Sequence, residues 1–318
     1  MSSTAGSAAP TKFRVWMCGA LVAVVLTSAF SQLAPAQSAT PPEVLLRLDD
    51  VGMNHSVNMA IAKVAETGMP FSVSVMFACP WYQEAVEILR RNPQVAVGVH
   101  LVLNSEWRNY RWGPVLGKAG APSLVDGDGY FLPSGQEFLA HAYELGEVER
   151  EFNAQMDRAV ASGLKIAYVD THMGTAAATP QLRAIVARVA KRYGAGISTW
   201  FGESYHTMWG EPVTSKTSAF LGHLDSLKTD RTNLIVIHSA ERSPEMDVLF
   251  DRNSASQNGV DGTPMVALHR STELAMLLSP EFTERVQSGR IRLTNYAQLI
   301  AKAGGPAAMR EPPRAPIP

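Results

Sequence analysis

Leu45-Leu46-Arg47-Leu48-Asp49-Asp50-Val51-Gly52 is the stretch on which the fold turns. A short apolar run ends there in two adjacent acids, and a glycine and the start of a helix follow. Paired carboxylates at the end of a buried strand are costly, because a buried charge without a partner costs several kcal/mol or takes up a proton. A metal ion, a basic partner or a catalytic task would compensate them. Adjacent residues of a strand point to opposite sides. For both acids to serve one site, the strand is expected to end at the pair, with Val51-Gly52 turning the backbone.

Outward from this stretch the chain alternates strands and helices. Asn54 or Ser56 caps a helix with Val57, Ala60, Ile61, Val64 and Ala65 on one face, and Gly68 and Pro70 end it. Strands are predicted over 71–77 and 95–101, separated by a helix over 81–91. Further on, the spacing predicts helices over 147–162 and from Pro180 to Gly194, and strands over 165–170, 197–201 and 234–238. The last strand is an uninterrupted apolar run of the kind buried in parallel sheets. Residues 202–230 read as loop-rich, and a helix over 273–278, a strand over 291–293 and a helix from Tyr296 complete the pattern. Strand, helix, strand with short connections is the rhythm of an α/β fold with a parallel sheet covered by helices.

The region 104–133 interrupts that rhythm with Trp107, Tyr110 and Trp112 beside Arg108 and Arg111. Long loops in compact domains are commonly lids or binding loops. Trp107, Arg108, Tyr110 and Trp112 are therefore candidates to contact a sugar, with packing of the loop against the body as the equal alternative.

The chain has 318 residues, 46% apolar and 18% charged, with a formal net charge of -1, so it can bury a large core and carries no long-range field. Nucleic acid is excluded as an expected partner on that balance. Residues 1–39 read as a secretory signal peptide, with Lys12 and Arg14 ahead of the apolar run from Val15 to Phe30 and small residues around Ala34-Pro35-Ala36. The alternative is an uncleaved membrane anchor. Cleavage would leave Cys79 alone in a periplasmic or secreted protein, without an internal disulfide. A single domain is expected over 40–304, followed by a Pro-rich, disordered tail over 305–318.

Asp49, Asp50, His100, His172 and His238 share one feature: each stands at or just past the C-terminal end of a predicted parallel strand. In a (β/α) barrel those ends face one way, and catalytic residues from several strands converge there. Asp and His donors suit Zn²⁺ or a similar divalent ion with a coordination position left for water. Asp170, two residues before His172, is placed to orient a ligand by hydrogen bonding to it or to cap the loop. His55, His141, His206, His223 and His269 lack this context and read as surface or structural residues.

These motifs, in the order Leu-Asp49-Asp50-Val-Gly52 with Asn58, Gly98-Val-His100, Asp170-Thr-His172, the strand into His238, and His-Arg270-Ser-Thr-Glu273-Leu274, resemble the YdjC/ChbG-like carbohydrate deacetylases. The resemblance implies an irregular TIM-like (β/α) barrel. It also implies a divalent cofactor, Zn²⁺ or Mg²⁺, on Asp50, His100 and His172, with Asp49 as general base and His238 as general acid. The implied reaction is removal of an acetyl group from an N-acetylated amino sugar, chitooligosaccharides being the familiar substrates, with a homodimer as a candidate assembly. Met173-Gly174 stand where the family carries further histidines, and Ser239-Ala240 where it carries Pro-Gly. Two other readings keep the barrel: a metal-dependent esterase or amidase acting on another substrate, and a carbohydrate-binding protein without turnover.

Overall fold

The computed structural model describes residues 40–312, together with Lys12 and Arg14. The rest of the expected leader and the end of the tail, 313–318, lie outside the described residues. Strands β1 (Glu43–Val51), β2 (Ser72–Val75), β3 (Ala96–Leu101), β4 (Ile166–Thr171), β5 (Gly196–Ile197), β6 (Ser204–Thr207), β7 (Asn233–Ile237) and β8 (Arg292–Thr294) form one sheet. Its order is β5-β4-β3-β2-β1-β7-β6, every pairing is parallel, and β8 joins the start of β1. The result is the expected α/β architecture, an irregular (β/α) TIM-like barrel whose path ends at two short strands, β5 and β6, that do not pair with each other.

Alternation along β1 sorts its side chains into two environments. Val44, Leu46 and Leu48 belong to the large cluster formed with the surrounding helices, including Val57, Ile61 and Val64 of the helix His55–Glu66. Leu45 instead joins Leu234, Val236, Tyr168 and Tyr296 in a second, smaller cluster, capped by Leu299 and Ile300 of the helix Tyr296–Lys302. Arg47 and Asp49 follow Leu45 at a spacing of two, so the inward face of the strand runs from apolar to charged towards its C-terminal end. Gly98 on β3 makes room for this interior: a Cβ there would lie 2.4 Å from the Tyr168 ring.

Several element boundaries differ from expectation for local reasons. The strand expected over 197–201 is only Gly196–Ile197, because the chain turns at once and Thr199 takes a φ of 71°. Within the segment read as loop-rich, the structure has β6 and a helix, Lys216–Leu224. The helix expected over 273–278 runs from Val266 to Leu277, and a further helix, Pro280–Gln287, is capped by Ser279. The tail is held as far as it is described: Pro306–Ala308 form a 3-10 turn, the Arg310 amide donates to Trp200 O (2.8 Å), and Glu311 pairs with Arg183 (2.9 Å).

Candidate functional site

The acids at the end of β1 do share one site, and the strand ends one residue after them in the expected turn at Val51-Gly52, but the change of side is made by Asp50. Asp50 itself takes a left-handed backbone, φ 62°, at a register shift between Leu48 and Val51, and β1 then continues to Val51. A non-glycine residue rarely adopts that conformation. Here it removes the alternation that would send the second carboxylate to the far side of the sheet. A turn follows, with Met53 N donating to Asp50 O (3.0 Å), Gly52 at φ 85°, and the Gly52 amide held by Asn58 Oδ1 (2.8 Å).

Three ligand-type atoms converge around Asp50. Its Oδ1 lies 3.4 Å from His100 Nε2 and 3.2 Å from His172 Nδ1, and the two ring nitrogens are 3.2 Å apart. Donors about 2.1 Å from a tetrahedral ion stand about 3.4 Å from one another, so this triangle has the right size. Asp50 Oδ1 is buried and without a hydrogen-bond partner, which is how an oxygen kept for a cation looks in the protein alone.

The remaining nitrogen of each imidazole is taken by a carboxylate. His100 Nδ1 meets Asp170 Oδ1 at 2.8 Å, a consequence of register, since His100 pairs with Asp170 across β3 and β4. His172 Nε2 meets Glu106 Oε2 at 2.9 Å. Carboxylates in this position fix ring orientation and make a ligand nitrogen more basic. Trp112 stands edge-on to His172, ring centroids 5.9 Å apart.

Charge supports the same assignment. Asp49, Asp50, Asp170 and Glu106 are all buried, as are Arg47 and Arg270. Asp251, buried in the same cavity, is raised to about 6 by burial and by Glu106, so with neutral histidines the carboxylates outnumber the guanidiniums and the site carries net negative charge that a divalent ion would offset. In the protein alone, protons meet this demand. Burial opposes a charge on His100, but Asp170 and Asp49 raise its imidazole to about 10; burial is likewise overcome at His172, which Glu106 and Asp50 raise to about 9. At Asp50 burial pushes upward, yet Arg270 and the two histidines hold the carboxyl well below its usual range.

Asp49, His100 and Asp170 also approach one another, but a cation already sits among them. Arg47 donates to both Asp49 oxygens, from Nε at 2.8 Å and Nη2 at 2.6 Å, and Nη2 lies 3.1 Å from Asp170 Oδ2. The Asp50 set is therefore the one suited to a metal ion.

His238 follows the last residue of β7, and its neighbourhood is different. Burial lowers its imidazole to about 4, and its Nδ1 has no hydrogen-bond partner. Its backbone amide donates to Glu273 Oε2 (2.6 Å), and the Trp209 ring packs edge-on against it at 4.7 Å.

All five strand-end residues line one cavity of about 1200 Å³. Trp107, Arg108, Tyr110 and Trp112 do not line it. Trp107 and Trp112 are buried and donate from Nε1 to Met53 Sδ (3.2 Å) and Asn104 O (2.9 Å), while Tyr110 donates to Met53 O. Arg108 lies 3.8 Å over the Phe250 ring, on the surface. These side chains anchor the 104–133 loop, because rings whose N–H or O–H finds a partner nearby lose nothing by burial. Trp200, Trp209 and Tyr205 bring aromatic surface to the cavity instead, and Arg183 adds a charge.

Sequence reasoning did not single out Glu106, Arg47 or Trp209 for these contacts. The signal for Arg47 was present, as a cation two residues before Asp49 on the same strand face; Glu106 and Trp209 sit in loops without periodicity. Of the departures from the family pattern, Met173 and Gly174 both adopt positive φ, 50° and 68°, directly after His172, and Met173 lines the cavity. Ser239 Oγ is buried without a partner, and Ala240 N donates to Arg270 O (3.3 Å).

The family model described as YdjC-like protein matches residues 43–288. A carbohydrate deacetylase of Brevibacillus brevis is 27% identical over 259 residues, covering 81% of this chain and 99% of that protein. One of Vibrio campbellii is 27% identical over 267 residues, covering 81% and 97%. A solved Enterococcus faecalis V583 protein, provisionally named for cellobiose-phosphate cleavage, shares the fold at a TM-score of 0.63 and 20% identity, over 81% of this chain and 99% of that one.

Proposed function

The chain belongs to the YdjC-like family, and from that premise we propose that it is a metal-dependent deacetylase acting on an N-acetylated amino sugar. The observation that carries this is the convergence of Asp50 Oδ1, His100 Nε2 and His172 Nδ1 in one cavity with Asp49 and His238. The deacetylase relatives, matched over almost their whole length, support the carbohydrate class. Asp50, His100 and His172 would hold the ion. Two imidazole nitrogens and one carboxylate oxygen favour Zn²⁺ over Mg²⁺, which prefers oxygen donors. Such an ion, when bound, lowers the pKa of water and polarises a carbonyl.

Asp49 is the proton acceptor in this scheme. Both its oxygens receive Arg47, yet a carboxylate has further lone pairs, so it can still take a proton from the attacking water. His238 serves the leaving nitrogen. As the carbon–nitrogen bond breaks, the electron pair goes to nitrogen and the proton from His238 joins it, giving acetate and a free amine. His238 is neutral in the protein alone, and negative charge developing on substrate beside it raises its proton affinity, so it takes up a proton from solvent and passes it to the departing nitrogen, while the proton accepted by Asp49 returns to solvent. Trp200 and Trp209 supply apolar ring surface against which a sugar can lie.

The test is acetate release by the purified mature protein, with divalent metal present, from chitooligosaccharides, peptidoglycan fragments and amino-sugar lipids. No acetate from any of these would sink the proposal. Export to the periplasm or medium belongs to the same proposal and rests on the leader sequence 1–39. Sequencing the N-terminus of protein recovered from each cell fraction checks it; cytoplasmic protein that keeps its leader would refute it.

A further inference from the structure

Lys216 and Glu273 form a fully buried ion pair, Nζ to Oε1 at 2.6 Å, with side chains 0% and 1% exposed. Such a pair gives up the hydration of both charges, and well-packed apolar residues in its place are often equally stable. Stability alone is therefore a weak reason for it. Its other contacts are more informative. Glu273 Oε2 accepts from the backbone amide of His238 (2.6 Å), and Lys216 Nζ donates to the carbonyl of Met208 (2.7 Å), the residue before Trp209. Trp209 is the ring packed edge-on against the His238 imidazole. One ion pair thus grips the backbone that carries His238 and the backbone that carries its packing partner.

The helix that supplies Glu273, Val266–Leu277, also supplies Arg270, whose Nη2 donates to Asp50 Oδ2 at 2.5 Å. Residues three apart lie on one helix face. The same face therefore touches the metal-side carboxylate and the amide of His238, so the spacing between them is set by a rigid element rather than by two independent loops.

We propose that Glu273, held by Lys216, is a positioning residue that fixes His238 against the leaving nitrogen of the substrate. This rests on the functional proposal above, in which His238 serves that nitrogen. His238 Nδ1 has no side-chain partner, so the ring depends on its backbone and on Trp209 for its place. Positioning of this kind matters for an amide, whose amine must be protonated to leave. It matters little for an aryl ester, whose phenolate leaves unprotonated.

Glu273→Asp keeps the buried charge opposite Lys216 but withdraws the carboxylate by one methylene from the His238 amide. Glu273→Gln keeps an acceptor oxygen at full reach. Both are compared with wild type for acetate release from an N-acetylated chitooligosaccharide, hydrolysis of 4-nitrophenyl acetate, metal content and Tm. Glu273→Asp is expected to lose amide hydrolysis by about a hundredfold, at the scale of a general acid, with ester hydrolysis and metal content within about threefold of wild type. Glu273→Gln is expected to recover at least tenfold of the amide loss. Equal loss of amide and ester hydrolysis in Glu273→Asp, or full amide activity in a folded Glu273→Asp protein, overturns the proposal. Wild-type protein that hydrolyses no N-acetyl substrate marks failure of the functional proposal instead, and is read before any variant is compared.

Discussion

Two halves of the cavity floor are built on opposite plans. Around Asp50 the side chains hold one another: Asp170 and Glu106 fix the two imidazoles, Arg47 takes Asp49, and Arg270 takes the second oxygen of Asp50. At His238 the backbone is held and the side chain is left alone, its Nδ1 without a partner and its ring against Trp209. A metal site gains from rigid donors, because ligands already in place lose little entropy on binding. A group that hands on a proton gains from an unpartnered ring in a dry place, where its proton affinity responds to charge arriving on the substrate.

The contrast breaks most visibly at the two aspartates. Asp50→Asn should strip the metal and abolish acetate release together. Asp49→Asn should leave metal content unchanged while the rate falls by about 10²–10⁴, the scale of a lost general base. Elemental analysis beside acetate release distinguishes them, and metal loss in both variants would erase the division between ligand and base. A smaller effect is expected one layer out. Glu106→Gln should weaken metal binding by about 10–100-fold while excess metal restores most of the rate, as a metal titration of activity would reveal.

Protons and metal should compete for the crowded half. His100 and His172 are raised from 6.5 to about 10 and about 9, so in metal-free protein their contribution to stability is complete below pH 6.5 and is lost as pH rises through 9 to 10. The Tm of protein kept in chelator should fall across that interval, and added Zn²⁺ should flatten the curve, since metal binding displaces those protons. A chelated protein whose Tm stays level from pH 6.5 to 10 would contradict the charge balance described here. The least effect belongs to Arg108→Ala: this residue stacks on Phe250 at the surface, away from the cavity, so KM should stay within about twofold of wild type.

Much of this was visible from residue order. Helix periodicity and strand composition locate β1 to β4 and β7, and residue order alone puts Asp50, His100 and His172 at strand ends. The shorter elements were not visible. β6 has only four residues, Ser-Tyr-His-Thr, and partly exposed side chains, so no apolar pattern marks it. Aromatic residues leave both roles open in sequence for a related reason: Trp107 and Trp200 look alike there, and only the surrounding backbone decides that Trp107 donates into the core while Trp200 faces the cavity.

By itself, the sequence determined the parallel β/α order, the acids near the end of β1 and the histidines at or just past the ends of β3, β4 and β7. Local composition and spacing are enough for these, because periodicity and strand length are properties of short segments. Only the tertiary structure decided how the paired aspartates share one site. Asp50 turns through a left-handed backbone that Asn58, the register shift against β2 and the buried guanidinium of Arg270 hold in place, and those contacts come from residues 8, 25 and 220 positions away. A strained conformation persists when its surroundings over-determine it, and such surroundings exist only once the chain has folded.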